Sequence, residues 1–437
     1  MMIRNLLYKS YFLYYKYTVI LTRTILPLVR DGLRRRRVVA IIGPRQVGKT
    51  TLLRLVDPSR SRSGSSILCM DDPDLRLRLL ANPVGELKKF GRKLIILDEL
   101  QKAPALFDTI KLLADEPEGP SFLVTGSAQL QLLPKVRESL AGRIRLIDLW
   151  PFSLREQVGR GDVECGLDRL WKSISKEAYD AFPAEVQRDI NLERRWRTAA
   201  LDAQLVGGFP PLIESANAEK PWEWLADYRR TYLERDLADI GRPSDLDQFA
   251  RAQRCFAARS GGILEMSSLS QDLGVSLPTI RRWLRFLEIS YQALLVEPVG
   301  SAKVRMVARP KLIWGDVGLG RLLAENRNPD DGAWYENWVL LELEKWRSAQ
   351  SDPPSLRYLR TSHGLEIDAV LHGSDNRILL LEVKMAKVAR PTWATPMMRA
   401  REILNDPNAF GVVCYRGRTI EKLARRIWAV PDYLLLV

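Results

Sequence analysis

One stretch of the chain, residues 38–56, restricts the possible folds more than any other. It begins with five apolar residues, Val38–Ile42, a run typical of a strand that is buried on both faces of a sheet. It continues as a helix from about Lys49, and the sequence GPRQVGKT between them is a full match to GxxxxGK(S/T). In a strand–loop–helix context, this pattern predicts a phosphate-binding loop and an α/β domain with helices on both faces of a parallel sheet.

The loop residues combine backbone and side-chain roles. Gly43 and Gly48 permit conformations that a β-carbon would exclude, so the loop N–H groups can point at a phosphate, and the helix N-terminus adds positive potential. Lys49 is expected to reach the β- and γ-phosphates of ATP, and the Thr50 hydroxyl is expected to bind Mg²⁺. The predicted nucleotide-binding residues of this segment are Gly43, Pro44, Arg45, Gln46, Val47, Gly48, Lys49, Thr50 and Thr51.

Two acidic residues stand at the carboxyl end of a third strand, predicted at 93–100, which comes after a shorter second strand predicted at 66–70. Asp98 and Glu99 end an apolar run, and the carboxyl end of a strand is where ligands sit in α/β sheets. Asp98 is expected to hold Mg²⁺ through water, and Glu99 is expected to polarise the attacking water. A strand that ends in two acids also arises by chance, but a phosphate loop upstream favours a catalytic pair.

A further strand, predicted at 121–127, ends in two hydroxyl side chains. Thr125 and Ser127 can hydrogen-bond the γ-phosphate or the attacking water, and they can equally cap the helix predicted at 128–141. Ser127 completes the predicted nucleotide-binding set.

An arginine stands immediately before the fifth strand, which is predicted at 144–149. In oligomeric ATPases an arginine at this place can reach the γ-phosphate of a neighbouring subunit and neutralise transition-state charge. Arg137, Arg143 and Arg145 are all candidates, and Arg143 is preferred.

Four stretches together resemble the AAA-type ATPases of bacteria and archaea. They are GPRQVGKTTLL, LDELQKAP, VTGSAQL and ESLAGRIRLIDLWPFSLRE, at residues 43–53, 97–104, 124–130 and 138–156. The resemblance implies that Lys49 and Thr50 are nucleotide ligands, that Asp98 and Glu99 are the Walker B pair, and that Ser127 lies in the sensor stretch. The SLAGR match at 139–143 supports Arg143.

The middle of the chain combines helical and basic features. Residues 156–245 are predicted to form a helical connector or lid. Within 246–328, helices at 267–273 and 277–287, a turn at Gly274 and a strand at 293–299 follow the pattern of a winged helix-turn-helix. Thr279, Arg281, Arg282 and Arg285 of the second helix can face DNA, although winged helices also mediate protein contacts or act as rigid spacers. A basic wing is predicted from Lys303, Arg305, Arg309 and Lys311.

A different pattern occupies residues 329–437. Helices are predicted at 334–347, 395–404 and 419–428, and strands at 356–360, 366–371, 377–384 and 410–415, in the order αβββαβα. The turn sequence GSDN folds 365–384 into a hairpin and brings Asp368 nearly opposite Glu382. Because residues two apart in a strand share a face, Lys384 joins Glu382.

This group of side chains has the chemistry of a metal-dependent phosphodiesterase. Asp368 and Glu382 can bind Mg²⁺, and the metal and Lys384 can activate water and stabilise a pentavalent phosphate. Glu336, in the preceding helix, is a candidate further ligand.

The D…ExK order resembles the PD-(D/E)XK nuclease superfamily, and the ATPases resembled by the first domain carry such a domain at this position. Many such domains are degenerate or only bind, and a surface ion cluster on an ordinary hairpin is the alternative interpretation.

Charge and composition narrow the partners and the compartment. The formal net charge of +14 favours an anionic partner, and nucleic acid is the first choice, although a merely soluble basic protein fits as well. Four widely separated cysteines suggest neither disulfides nor zinc, which fits a reducing cytoplasm. Lys9 and Lys16 interrupt the leader 1–20, and no apolar run in it approaches the roughly 20 residues that a membrane-spanning helix needs, so an unstructured or misassigned leader is favoured over a degraded signal anchor.

The sequence thus predicts an AAA-like ATPase core at 21–155, the connector at 156–245, the winged-helix region at 246–328 and a nuclease-like domain at 329–437. The expected activity is Mg²⁺-dependent ATP hydrolysis by a homo-oligomer that acts on DNA or is gated by it. One alternative is a nucleotide-controlled switch that binds protein partners and has an inert carboxyl-terminal site. Another is a DNA-processing nuclease for which ATP is the gate.

Overall fold

The computed structural model describes residues 20–56, 67–90, 94–126, 142–174, 182, 190–213, 220–233, 246–300 and 307–437. Its amino-terminal sheet has the order β2–β3–β4–β1–β5, with neighbouring strands parallel. The strands are β1 (Val38–Ile42), β2 (Leu68–Cys69), β3 (Ile95–Asp98), β4 (Phe122–Gly126) and β5 (Ile144–Asp148). All five residues of β1 are buried, as their unbroken apolar run predicts.

Helices cover both faces of this sheet. They are α1 (Leu26–Arg35), α2 (Lys49–Val56), α3 (Pro73–Ala81), α4 (Pro83–Lys88) and α5 (Leu106–Asp115). Val39 and Ile41 of β1 belong to an apolar cluster that includes residues of α1 and α2. Val38, Ala40 and Ile42 belong to a separate cluster that includes residues of α5. The alternation follows from the period of two along a strand, and it establishes the α/β architecture.

The described part of the connector is helical. Its helices are α6 (Leu154–Gln157), α7 (Gly166–Ser173), α8 (Ile190–Val206), α9 (Pro210–Ile213) and α10 (Pro221–Tyr228), and a π-helical turn, Arg229–Leu233, follows α10. The next region contains α11 (Leu246–Ala257), α12 (Met266–Leu273), α13 (Leu277–Ile289), an antiparallel pair of strands, β6 (Ala293–Pro298) and β7 (Lys311–Trp314), and α14 (Val317–Leu323).

A second sheet has eight strands: β6, β7 and the six strands that follow them in the chain. Its order is β12–β13–β11–β10–β9–β8–β6–β7. The further elements are α15 (Gly332–Ser348), β8 (Ser355–Arg360), β9 (Glu366–His372), β10 (Ile378–Lys384), α16 (Ala394–Leu404), β11 (Phe410–Tyr415), β12 (Glu421–Ala424), β13 (Ile427–Pro431) and α17 (Asp432–Leu436). Because β6 pairs with β8 in parallel, the sheet crosses the predicted boundary at 328/329.

The predicted final helix at 419–428 is wrong. This segment forms the hairpin of β12 and β13, and Arg426 between them has a left-handed backbone with φ of 56°. β13 pairs in parallel with β11, and both Ile427 and Ala429 are buried there. The helix preference of this segment is therefore overridden by strand pairing with β11. This partner is distant along the chain, so the pattern within the segment does not reveal it.

The middle of α15 joins the second sheet to the end of the first domain. Glu342 accepts a hydrogen bond from the backbone N–H of Leu154 at 2.8 Å and pairs with Lys345 at 2.8 Å. Lys345 also donates to the carbonyl of Phe152 at 3.0 Å. Both charged side chains are almost fully buried, with 2% and 6% exposure, so this contact is a desolvated polar junction.

The described helices include none that is both long and apolar enough to cross a membrane. All but the last residue of the leader 1–20 lies outside the described residues.

Asp432, the first residue of α17, is expected to make stability depend on pH. Burial raises the pKa of its carboxyl from 3.8 to about 6, although the N–H of Tyr433 and the hydroxyl of Tyr335 favour the ionised form. A carboxyl with a raised folded-state pKa stabilises the fold fully below the unfolded pKa, and this contribution falls as pH rises towards 6. Between pH 3.8 and 6, the ionisation of Asp432 should lower the free energy of unfolding by at most about 3 kcal/mol.

Urea unfolding of the wild type and of Asp432→Asn across pH 3.8 to 6 measures this effect. The asparagine imitates the neutral carboxyl, so the variant should lose this part of the pH slope, whereas the exposed control Asp227→Asn should keep it. Equal slopes in all three proteins would contradict the prediction.

Candidate functional site

The loop between β1 and α2 is shaped by two glycines. A β-carbon on Gly43 would lie 2.2 Å from the carbonyl oxygen of Leu149, so the loop can pass the end of β5 only without a side chain. Gly48 has φ of +89°, in the left-handed region that glycine favours. The strand, the loop and the helix thus follow one another as the sequence pattern predicts.

Lys49 is the first residue of α2 and folds back into the loop. Its ammonium donates to the carbonyl oxygens of Gly43 at 3.0 Å and Pro44 at 2.6 Å, and the residue is only 6% exposed. A buried cation held by neutral carbonyls can exchange them for the oxygens of a phosphate with a gain in electrostatic energy.

Asp98, the last residue of β3, joins the loop to the neighbouring strand. Its Oδ2 accepts a hydrogen bond from the Thr50 hydroxyl at 2.7 Å, and its Oδ1 accepts one from the Thr125 hydroxyl of β4. Asp98 is 2% exposed. A hydroxyl and a carboxylate are oxygen ligands of the kind that Mg²⁺ prefers, so the contact between Thr50 and Asp98 fits the metal that the loop implies.

Glu99 stands beside this pair in a constrained conformation. Its backbone is left-handed, with φ of 56°, which is uncommon outside glycine and frequent at functional sites. Its N–H donates to the Thr125 hydroxyl at 3.2 Å, and its carboxylate accepts from the Gln101 side chain at 2.5 Å. Thr125 therefore fixes both acids of the predicted pair, whereas Ser127 lies outside the described residues.

Arg143 lies at the amino-terminal ends of the strands, whereas the phosphate loop lies at their carboxyl ends. It precedes Ile144, which pairs with Val38 at the start of β1, whereas the loop follows the end of β1. Arg143 forms an ion pair with Asp115 at 2.6 Å and is 42% exposed. A role at a γ-phosphate thus requires a second copy of the chain. Arg137 lies outside the described residues.

Two residues outside the motif bind the backbone of the phosphate loop, and the sequence did not suggest either of them. Arg23 donates to the carbonyls of Val47 at 3.1 Å and Trp150 at 2.5 Å, and it lies 3.3 Å from Glu156. The Tyr228 hydroxyl donates to the carbonyl of Arg45 at 3.2 Å. Both residues are far from the motif along the chain, so no spacing rule points to them.

A second group of charged residues surrounds the β9–β10 hairpin. The paired register reaches Leu381 and Ala369, one residue short of Glu382 and Asp368, so the predicted juxtaposition of the two carboxylates is present. Asp368 also accepts a hydrogen bond from the N–H of Val383 at 2.8 Å. Lys384 pairs with Glu382 at 2.8 Å.

Lys311, at the start of β7, occupies the centre of this group. Its ammonium lies 2.6 Å from Glu336, 3.0 Å from Glu366 and 3.6 Å from Asp368, and its side chain is 1% exposed. The expectation that Lys311 belongs to a basic wing is therefore wrong. Arg309 pairs with Glu265 at 2.5 Å, and Lys303 and Arg305 lie outside the described residues.

Two of these carboxylates, Glu336 and Glu382, have a raised pKa. Burial, followed by the charge of Asp368, raises the pKa of Glu336 to about 7 and that of Glu382 to about 8. Burial opposes the charged form of Lys311, but Glu336 and the other carboxylates outweigh it and raise the lysine pKa. Over the described residues, no three His, Cys, Asp or Glu side chains are grouped as metal ligands.

Three family assignments cover most of the chain. Residues 35–158 match an AAA domain, residues 197–330 match a domain of unknown function (DUF8612), and residues 331–435 match another (DUF4143). Two similar proteins are Mb2031c of Mycobacterium bovis and Rv2008c of Mycobacterium tuberculosis, both described as uncharacterized. Each is 32% identical over 414 residues, covering 92% of this chain and 82% of the relative. The chain belongs to the family of these two proteins, and its first domain is an AAA-type ATPase domain.

Solved structures with some likeness are remote. The Walker-type ATPase PABY2304 of Pyrococcus abyssi is 13% identical, with a TM-score of 0.41 over 70% of this chain and 96% of that chain. The signal transduction ATPase PH0952 of Pyrococcus horikoshii, which has a tetratricopeptide repeat sensor, is 12% identical, with a TM-score of 0.26 over 76% and 48%.

Proposed function

We propose that the chain hydrolyses ATP with Mg²⁺ and that DNA gates this activity. The observation that carries the first part is the contact between Thr50 and Asp98 beside the buried Lys49. These groups come from the two halves of a nucleotide site, and the fold brings them within hydrogen-bonding distance.

Each residue of the site has a separate task. Thr50 and Asp98 would hold the Mg²⁺, which supplies charge neutralisation during phosphoryl transfer. Lys49 would exchange the carbonyls of Gly43 and Pro44 for phosphate oxygens. Glu99 would orient and polarise the attacking water, and its fixed backbone limits the positions that its carboxylate can take.

The position of Arg143 supports the proposal of a homo-oligomer. Because this arginine lies at the sheet edge away from its own phosphate loop, it can serve the transition state only of a neighbouring copy. Its exposure and its exposed ion pair with Asp115 leave it accessible to such a neighbour at low cost.

The helices α11, α12 and α13 and the β6–β7 pair support the proposal of a winged helix that contacts DNA. Arg281, Arg282 and Arg285 are exposed along α13, and Ser276 caps the helix start. Exposed arginines along one helix suit contacts with phosphates and groove edges. The net charge of +14 adds a general attraction to nucleic acid.

The carboxyl-terminal domain supports a nuclease-like fold in part. The elements from α15 to β11 have the order αβββαβ, and they bring Glu336, Asp368, Glu382 and Lys384 near one another. The buried Lys311 among the carboxylates favours the second candidate function, a nucleotide-controlled switch for protein partners with a carboxyl-terminal site that does not cleave.

Steady-state ATP hydrolysis by the full chain, with and without duplex, forked and single-stranded DNA, tests the proposal. DNA should raise turnover. Replacing Arg281, Arg282 and Arg285 together by alanine should leave basal turnover unchanged, weaken DNA affinity by about 10-fold or more, and reduce the salt slope of binding by up to about 3.

The matched control removes three exposed arginines elsewhere, Arg78, Arg399 and Arg425, and therefore changes net charge equally. It should retain most of the stimulation. Turnover that no DNA alters, or equal losses in the two triple variants, would reject DNA gating and favour the protein-partner switch.

A further inference from the structure

The backbone of Lys311 is paired on both sides. It pairs with Val296 of β6 on one side and forms a bridge to Ile263 on the other. The next residue, Leu312, exchanges hydrogen bonds of 2.8 and 2.9 Å with Gly261 and Gly262. These contacts fix the Cα of Lys311, and burial together with the ion pairs to Glu336 and Glu366 holds the ammonium in the group.

The surroundings of the ammonium are closed. The ring of Tyr358 lies 5.4 Å from the nitrogen, and Tyr358 is fully buried. Glu336, Glu366 and Asp368 face the ammonium from α15 and β9. The lysine therefore occupies the point at which three carboxylates converge, with an aromatic ring as a further wall.

Most of the carboxylate oxygens around Lys311 already have a partner. Asp368 uses Oδ1 for Lys311 and Oδ2 for the N–H of Val383. Glu366 uses Oε1 for Lys311 and Oε2 for Arg360 at 3.2 Å. Glu382 binds Lys384. Mg²⁺ requires near-octahedral oxygen ligands at about 2.0–2.1 Å, and an ammonium among the same oxygens would both block and repel it.

We infer that the ammonium of Lys311 is the resident cation of this acidic site, and that it excludes a divalent metal from the carboxylates of Glu336, Glu366 and Asp368. The residues present therefore do not fit the Mg²⁺ that a nuclease-like site implies. The inference rests on the contacts of β7, α15 and β9, and it is independent of ATP hydrolysis by the first domain.

Removal of the ammonium should convert the group into a metal site. Lys311→Met keeps the length of the side chain and removes its charge, so the carboxylates are left without their central cation. With Mn²⁺ as the probe and no nucleotide present, electron paramagnetic resonance should detect one additional bound ion per chain. Its affinity should exceed that of the same residues in the wild type by about 100-fold or more.

Lys384→Met is the matched control, because it also removes one lysine charge from the group. Lys384 contacts Glu382 rather than the central carboxylates and is 39% exposed, so this variant should not acquire the ion. The double variant Lys311→Met with Asp368→Asn should lose it again. Any Mn²⁺ that binds at the phosphate loop is common to the wild type and all variants, so it does not affect the difference in bound Mn²⁺ between them.

Either of two results would overturn the inference. The first is a wild type that binds Mn²⁺ at this site, recognised by loss of binding in Asp368→Asn alone. The second is a folded Lys311→Met that binds no additional ion.

If Lys311→Met folds only when Mn²⁺ is present, the metal has replaced the ammonium, as the inference requires. If it does not fold at all, the wild-type titration decides. ATP turnover of the wild type, measured in parallel, reports separately on the proposed function.

Discussion

Lys49→Ala is expected to abolish most ATP turnover and to weaken nucleotide binding. The wild-type ammonium lies inside the loop, bound to two backbone carbonyls, and is the only side-chain cation that the motif directs at the β- and γ-phosphates. Loss of one preorganised donor to developing charge typically costs about 10²–10³ in kcat. Turnover and the affinity for a fluorescent ATP analogue should be measured with Mg²⁺.

The exposed lysine Lys89 supplies the control for this prediction. It pairs with Glu86 on the surface at the end of α4 and is 67% exposed, so Lys89→Ala should leave turnover within about 2-fold of the wild type. Far-ultraviolet circular dichroism should be the same for both variants, because alanine has a higher helix propensity than lysine and is compatible with the first turn of α2. Undiminished hydrolysis in Lys49→Ala would show that the loop is not the catalytic phosphate site.

Glu342→Ala is expected to destabilise the whole chain severely. The substitution leaves Lys345 buried without its carboxylate partner, at 2.8 Å in the wild type, and removes the acceptor of the Leu154 N–H. Breaking one side of a buried pair typically costs about 3–5 kcal/mol. Urea unfolding followed by tryptophan fluorescence should show a midpoint well below that of the wild type.

A double variant tests the stated cause. Glu342→Ala combined with Lys345→Met removes both charges, so it should recover part of the lost stability, because the isolated ammonium is then gone. Glu223→Ala, which breaks an exposed pair with Lys220 at 3.0 Å, should shift stability by no more than about 0.5 kcal/mol. A double variant less stable than Glu342→Ala would contradict the account of the junction.

The sequence supports a good prediction where partners are close or where a motif specifies them. The β1–loop–α2 segment is local, and the Asp98–Glu99 pair lies at the carboxyl end of β3, a strand that shares the neighbour β4 with β1. The juxtaposition of Asp368 and Glu382 follows from one hairpin turn, which fixes the register of both strands.

Prediction fails where partners are distant along the chain. Lys311 meets Glu336 and Glu366, which are 25 and 55 residues away, and its basic neighbours suggested an exposed wing instead. Arg23 supports the phosphate loop from a segment before the first strand. One clue was available: Glu366 shares a face with Asp368 at a spacing of two, so a third carboxylate at the hairpin could have been expected.

Because β6 pairs with both β7 and β8, the chain cannot be divided into independent domains between β7 and β8. The family match that ends at 330 and the one that begins at 331 separate the lysine of the acidic group from all of its carboxylates. A fragment that begins at 331 would therefore lack Lys311 beside its carboxylates and would leave the edge of β8 unpaired. Any metal binding by such a fragment would result from the truncation and would not be a property of the whole chain. In this chain, the smallest unit with intact chemistry at that site extends back through β6 and β7.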